Sequence, residues 1–223
     1  MPPGPVRRPL AEAPFRPAVM FCLKCLRTSV KNYVAGSGVQ FEPNCCFDAV
    51  SSVKCRQCAA RKSNCIPTAT GMLGNASDLA EILRWAAYFW DTEQEGIWDP
   101  AFRVPVGNFT AALAAKFADA EKAHRVEHHV SAATKKAMVK HAAAYRGFVV
   151  ERRTLAARTN EDFEYLRLLP GDAGYLLWQL AISTFLDDII QEVTRLYADG
   201  QGNEERFVQE LRDSFPVAVV RGL

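Results

Sequence analysis

The chain has 223 residues, 49% apolar and 23% charged, with a formal net charge of +2. That length supports one core of ordinary size plus a small appendage. No stretch approaches the roughly 20 uninterrupted apolar residues that a bilayer span requires, so no membrane partner is expected.

Residues 1–17 are rich in proline and basic side chains and lack an apolar run of signal-peptide length. They read as a disordered leader, not as an export signal. Residues 18–67 form a cysteine-rich module. All seven cysteines lie there, as Cys22-x2-Cys25, the adjacent pair Cys45-Cys46, and Cys55-x2-Cys58-x6-Cys65. A two-residue gap turns the backbone so that both sulfurs face one tetrahedral metal ion. Without export the thiols meet a reducing environment, and an odd number cannot pair completely, so zinc is expected rather than disulfides.

Charge is segregated along the chain. Residues 1–70 carry ten Lys/Arg against three Asp/Glu, residues 71–115 are acidic, residues 116–158 are basic and hold all four histidines, and residues 159–215 are strongly acidic. Either the zinc module and the middle segment face an anionic partner, or oppositely charged segments pack side by side.

Residues 68–77 read as a linker, and 78–223 as an all-α domain of five to seven helices. A first helix is expected from Ser77 or Asp78, with Glu81 in capping-box position and Leu79, Ile82, Leu83 and Ala86 as its apolar stripe. Gly96, Pro100, Pro105 and Gly107 mark 91–107 as a loop anchored by Trp98 and Phe102. Asn108 then caps a helix whose inner face is Ala112, Leu113, Phe117 and Ala120. Ser131 opens another, with Met138, Ala142, Tyr145 and Val149 inward. Asn160 caps a short one bearing Phe163, Leu166 and Leu169. Tyr175–Tyr197 is the most apolar element, and its first half has the all-round apolar character of a central buried helix. Phe207, Val208, Leu211 and Phe215 continue as an amphipathic series before the tail Pro216 to Val220.

The run from Lys54 to Pro67 carries the spacing Cys55-x2-Cys58-x6-Cys65, which resembles the second half of the fungal binuclear zinc cluster. Cys22-x2-Cys25 is similar to the opening of the first half. That resemblance covers about 45 residues. It implies six thiolates holding two zinc ions: Cys22, Cys25, Cys45 or Cys46, Cys55, Cys58 and Cys65, with Cys22 and Cys55 bridging. The family's third cysteine follows the second by about six residues; here Cys45 and Cys46 come 20 and 21 positions after Cys25. The competing reading is a single four-thiolate zinc held by Cys22, Cys25, Cys55 and Cys58. Either arrangement closes the coordination sphere, so the metal is expected to be structural.

The family enters DNA with a basic first-half loop. Here Lys24, Arg27, Lys31, Lys54, Arg56, Arg61 and Lys62 remain available for phosphate contacts. Two functions follow: a zinc-binding nuclear regulator whose head contacts duplex DNA, or a zinc-stapled interaction module, nuclear or cytoplasmic, whose helical domain binds another protein. No Gly-rich phosphate loop or Gly-x-Ser-x-Gly elbow is present, and no enzyme is expected. His124 and His128 stand one helical turn apart, where with Glu121 or Glu127 they can present donors to one metal; the alternative is a solvated basic face.

Overall fold

The computed structural model describes residues 22–48, 52–91, 98–130, 135–159, 165–198 and 203–216. The leader 1–17, Ser131, Asn160, Phe163 and the tail from Val217 lie outside them. Among the described residues there are seven α-helices: α1 Leu23–Asn32, α2 Arg56–Ala60, α3 Leu73–Ala87, α4 Pro100–Glu127, α5 Lys135–Arg158, α6 Tyr175–Tyr197 and α7 Asn203–Ser214. An isolated antiparallel bridge pairs Cys22 with Pro67.

Helix α3 begins at Leu73, not at Ser77 or Asp78, and follows a 3-10 turn over Thr70–Met72. The expected cap Asp78 is used across the fold instead, together with Asn75 one turn before it. Asn75 Oδ1 accepts the Leu168 amide at 3.0 Å, and the buried Asp78 carboxylate is forked by Arg167 at 2.9 and 3.2 Å. Leu166 and Leu168 thus cross the start of α3 in irregular backbone and are buried. The short helix expected to carry Leu166 and Leu169 is absent there, because Asn75 and Asp78 satisfy this segment from outside it.

Helix α4 also begins earlier than the Gly/Pro content implies. Asp99 caps it by accepting the Ala101 amide at 2.8 Å, and Pro100 occupies the first turn, where a missing N–H costs nothing. Pro105 lies inside the helix. Burial of Phe102 and Val106 against Phe89 and Trp98 offsets the lost hydrogen bond; the Phe89 ring meets Trp98 and Phe102 edge-on at 5.0 and 5.1 Å. Asn108 is therefore a mid-helix residue and not a cap.

Helices α4 and α6 form the centre of the bundle, with Phe117 meeting Trp178 edge-on at 5.4 Å. Their close approach needs Gly174. Its φ is +89°, and a Cβ there would lie 2.6 Å from the Ala120 carbonyl oxygen. Helix α6 is not buried all round. Trp178, Ile182, Phe185, Ile189 and Val193 form its inner stripe, while Leu176 and Leu180 are exposed. Helix α7 covers part of it through Phe207, Leu211 and Phe215. Helix α5 stands largely in solvent: Val149 is buried, but Met138 and Ala142, expected inward, are exposed.

The N-terminal module shares the body's core. Leu23, Leu26 and Phe41 belong to the same apolar cluster as Met72, Phe102 and Phe117. The insertion 32–44 lies against the body as well. Asn108 Oδ1 accepts the Gly36 amide at 3.0 Å, and Trp90 Nε1 donates to the Gly38 carbonyl at 3.0 Å.

Candidate metal centre

Six cysteines converge beside this core. One sulfur each from Cys22, Cys55, Cys58 and Cys65 lie within 4.8 Å of one another, and so do those of Cys25, Cys45 and Cys55. Cys55 belongs to both groups. Cys22 belongs to the first group alone, its sulfur 3.5 Å from that of Cys58. Of the adjacent pair, Cys45 faces the other thiols, whereas Cys46 is in neither group.

Local backbone makes this convergence. The two Cys-x2-Cys pairs are built alike: Cys22 and Cys55 sit at the N-caps of α1 and α2 in extended conformation, and Cys25 and Cys58 fall in the first helical turn. In neither pair does the sulfur of the N-cap cysteine take a side-chain capping hydrogen bond. Cys65 returns through the end of α2. There Ser63 N donates to the Cys58 carbonyl at 2.9 Å and Lys62 N to the Ala59 carbonyl at 3.1 Å, with Lys62 at φ +51°. This is a Schellman turn with lysine where glycine is usual. It lets Cys65 Sγ accept the Cys55 amide at 3.3 Å. The Leu23 amide donates to the Ile66 carbonyl at 2.8 Å and closes the module.

The sulfur spacing fits a metal. Cys22–Cys58 and Cys55–Cys65 are 3.5 Å apart and Cys25–Cys55 3.3 Å, and all seven cysteines are free. A disulfide needs about 2.05 Å. Zinc–thiolate bonds of about 2.3 Å give a tetrahedral edge of about 3.8 Å. Five of the six sulfurs belong to buried residues, an environment in which uncompensated thiolates are costly and metal-bound ones are not. Burial pushes the Cys25 and Cys58 thiols up and Cys65 up to about 12; hydrogen bonding to Cys22, then burial, pushes Cys45 up. Cys22, accepting from Cys45, is brought down to about 3. Burial also pushes Cys55 upward, but hydrogen bonding, to which Cys25 and Cys65 contribute, outweighs it and lowers the thiol.

The basic residues around the cluster do not form one free face. Lys31, Lys54, Arg61 and Lys62 are exposed and Lys24 is half-buried. Arg56 Nε meets Asp48 at 2.5 Å, and Arg61 donates to Thr28 Oγ1 at 3.0 Å. Arg27 turns toward helix α4, 4.0 Å from Glu121 Oε2.

A buried polar seam behind the cluster escapes sequence reasoning. Glu121, wholly buried, accepts the Ala69 amide at 3.1 Å and Arg125 Nε at 2.5 Å, while Arg125 also donates to the Pro67 carbonyl at 2.6 Å. Next to it His124 Nε2 lies 3.0 Å from Tyr145 Oη, which accepts the Gly71 amide at 2.8 Å. Burial first, then the neighbouring His128, lowers His124 to about 4. The available signal was the placement of Glu121 and His124 on the apolar face of α4 set by Leu113, Phe117 and Ala120. His124, Glu127 and His128 each offer a donor within 4.8 Å of the others, so Glu127 and not Glu121 accompanies the histidines. There Glu127 also accepts the Ala173 amide at 3.0 Å.

Compared with family models, curated proteins and solved structures, the chain matches none. Its likeness to a zinc cluster rests on the spacing of the cysteines and on the packing of six of them. Among the described residues no helix is long and apolar enough to cross a membrane.

Proposed function

We propose that this chain is a zinc-stapled interaction protein in which six thiolates hold two Zn2+ ions. Membership of Cys55 in both thiol groups carries this reading. One ion takes Cys22, Cys55, Cys58 and Cys65, and the other Cys25, Cys45 and Cys55, with Cys22 as the fourth ligand that the zinc-cluster resemblance implies. Cys22 and Cys55 bridge. Each ion then has four sulfurs and no open position, the arrangement of structural zinc. The ions fasten together the start of α1, the end of the insertion and α2, which fixes α1 against α4.

Recognition of another protein is the better-supported use of this staple. Six thiolates around two dications leave a net charge of −2 within a module whose own basic residues outnumber its acids. Arg56 and Arg61 are engaged within the module, and the insertion is packed on the body. A titration of the zinc-loaded chain with duplex DNA tests the choice. We expect no binding tighter than the roughly 10⁻⁶ M of non-specific contacts at physiological salt. Tighter binding, lost on substituting Arg56, Arg61 and Lys62, would restore the DNA-contacting reading.

A further inference from the structure

We infer that the groove between α1, α4 and α5 binds an acidic amphipathic helical segment of a partner protein. The inference rests on the interaction reading above and gives that reading a surface and a partner chemistry. The groove holds about 980 Å³ and is partly open. That is the upper end of the size of small-ligand pockets. Its floor is apolar, formed by Val30 and Ile66 of the metal module and by Ala115, Ala118 and Val126 of α4. Val126 is 66% exposed although it lines the groove. Exposed apolar surface framed by charge marks a recognition site.

The rim sets the sign of the occupant. Arg27 and Lys31 from α1, Lys122 from α4 and the pair His129 and His141 surround the floor, against one acid, Asp119. Lys31 and Lys122 make no ion pair among the described residues. The two histidines stack at 4.5 Å, and His141 Nδ1, shielded from solvent, has no hydrogen-bond partner. A nucleic-acid backbone would match the rim but leave the apolar floor without a partner. A helix with apolar residues at i, i+3, i+4 and i+7 and acids alongside matches both. The chain's own acidic helix α7 is not the occupant, because Phe207, Leu211 and Phe215 seat it on α6. One groove wall is α1, with Cys22 at its N-cap and Cys25 in its first turn, so metal loading and groove shape are linked.

The test uses the full zinc-loaded chain as bait for a displayed library of random 16-residue peptides. Zinc content is measured on the same sample. Enriched peptides should combine an apolar helical stripe with net negative charge. Their affinity should fall about ten-fold or more against Lys31→Glu and Lys122→Glu, exposed positions where charge reversal leaves the core untouched, and should weaken with added salt. Absence of enrichment, enrichment without acidic bias, unchanged binding to both variants, or competition by a second copy of the chain or by duplex DNA would overturn the inference. Zinc bound without peptide selection removes the groove and leaves the staple. Selected peptides binding a zinc-free chain remove the staple and leave the groove.

Discussion

Glu121→Gln should lower the stability of the folded chain by about 2–3 kcal/mol, a large effect for replacing one oxygen by nitrogen. The wild-type carboxylate is fully buried, takes a 2.5 Å bond from Arg125 Nε and a 3.1 Å bond from the Ala69 amide, and has Arg27 at 4.0 Å. Hydrogen bonds to a charged group contribute about 1.5–3 kcal/mol each. Both donors meet Oε1, so the glutamine oxygen keeps them but without the charge, which roughly halves each bond, while its amino group replaces Oε2 and faces the Arg27 guanidinium. Glu121→Ala leaves both donors unmet and should cost about 3–5 kcal/mol. Urea unfolding in zinc-saturated buffer reads this directly. With a slope of about 3 kcal/mol/M, the glutamine variant's midpoint falls by about 1 M. Arg27→Ala, on the exposed side of the same cluster, should cost less than about 0.5 kcal/mol. A midpoint shift under about 0.2 M for both Glu121 variants, or a loss abolished by high salt, would refute the argument that this seam is desolvated and joins the metal module to α4.

Three further outcomes follow from the same structure. The His124 ring, held down at about 4, stays neutral in the folded chain while the unfolded ring titrates near 6.5. Its contribution is therefore complete above pH 6.5 and is lost as pH falls toward 4, by about 1.4 kcal/mol per unit, so the stability of wild type relative to His124→Gln should decline across that window; parallel pH curves would count against it. Gly74→Ala places a Cβ 2.8 Å from the Tyr165 carbonyl oxygen and 2.4 Å from Arg167 Cγ, and should lower the thermal midpoint despite alanine's better helix propensity; an unchanged or raised midpoint would mean that 165–168 does not cross α3 as described. Lys62→Gly relieves a left-handed lysine and should stabilise the zinc-bound chain by about 1 kcal/mol, whereas a loss of zinc binding would show that the Schellman turn is misplaced.

Much of the architecture can be read along the chain where a pattern is long and local. Tyr175–Tyr197 has the bounds its periodicity implies, because the left-handed Gly174 before it and the apolar heptad-like stripe within it act over neighbouring residues. The cysteine spacings are legible for the same reason, since each Cys-x2-Cys is a single turn. What failed depends on distant partners. Asp78 looks like a cap until Arg167 claims it, and Asn75, read as linker, is a helical residue that holds the Leu168 amide. Pro105 breaks a helix in isolation but not when Phe102 and Val106 are buried on either side of it. Leu176 and Leu180 differ in no local way from Ile182, and only the position of α4 decides which face of α6 is covered. The choice of Cys45 over Cys46 likewise rests on a loop docked through Asn108 and Trp90, far along the chain.

The most direct test of the central claim is zinc stoichiometry by native mass spectrometry on the intact chain and four single variants. The shared-thiolate arrangement predicts two zinc ions per wild-type chain, two for Cys46→Ser, fewer than two for Cys45→Ser or Cys65→Ser, and the largest loss for Cys55→Ser. One zinc per chain, retained in Cys45→Ser and Cys65→Ser, would contradict it and return the site to four thiolates from Cys22, Cys25, Cys55 and Cys58.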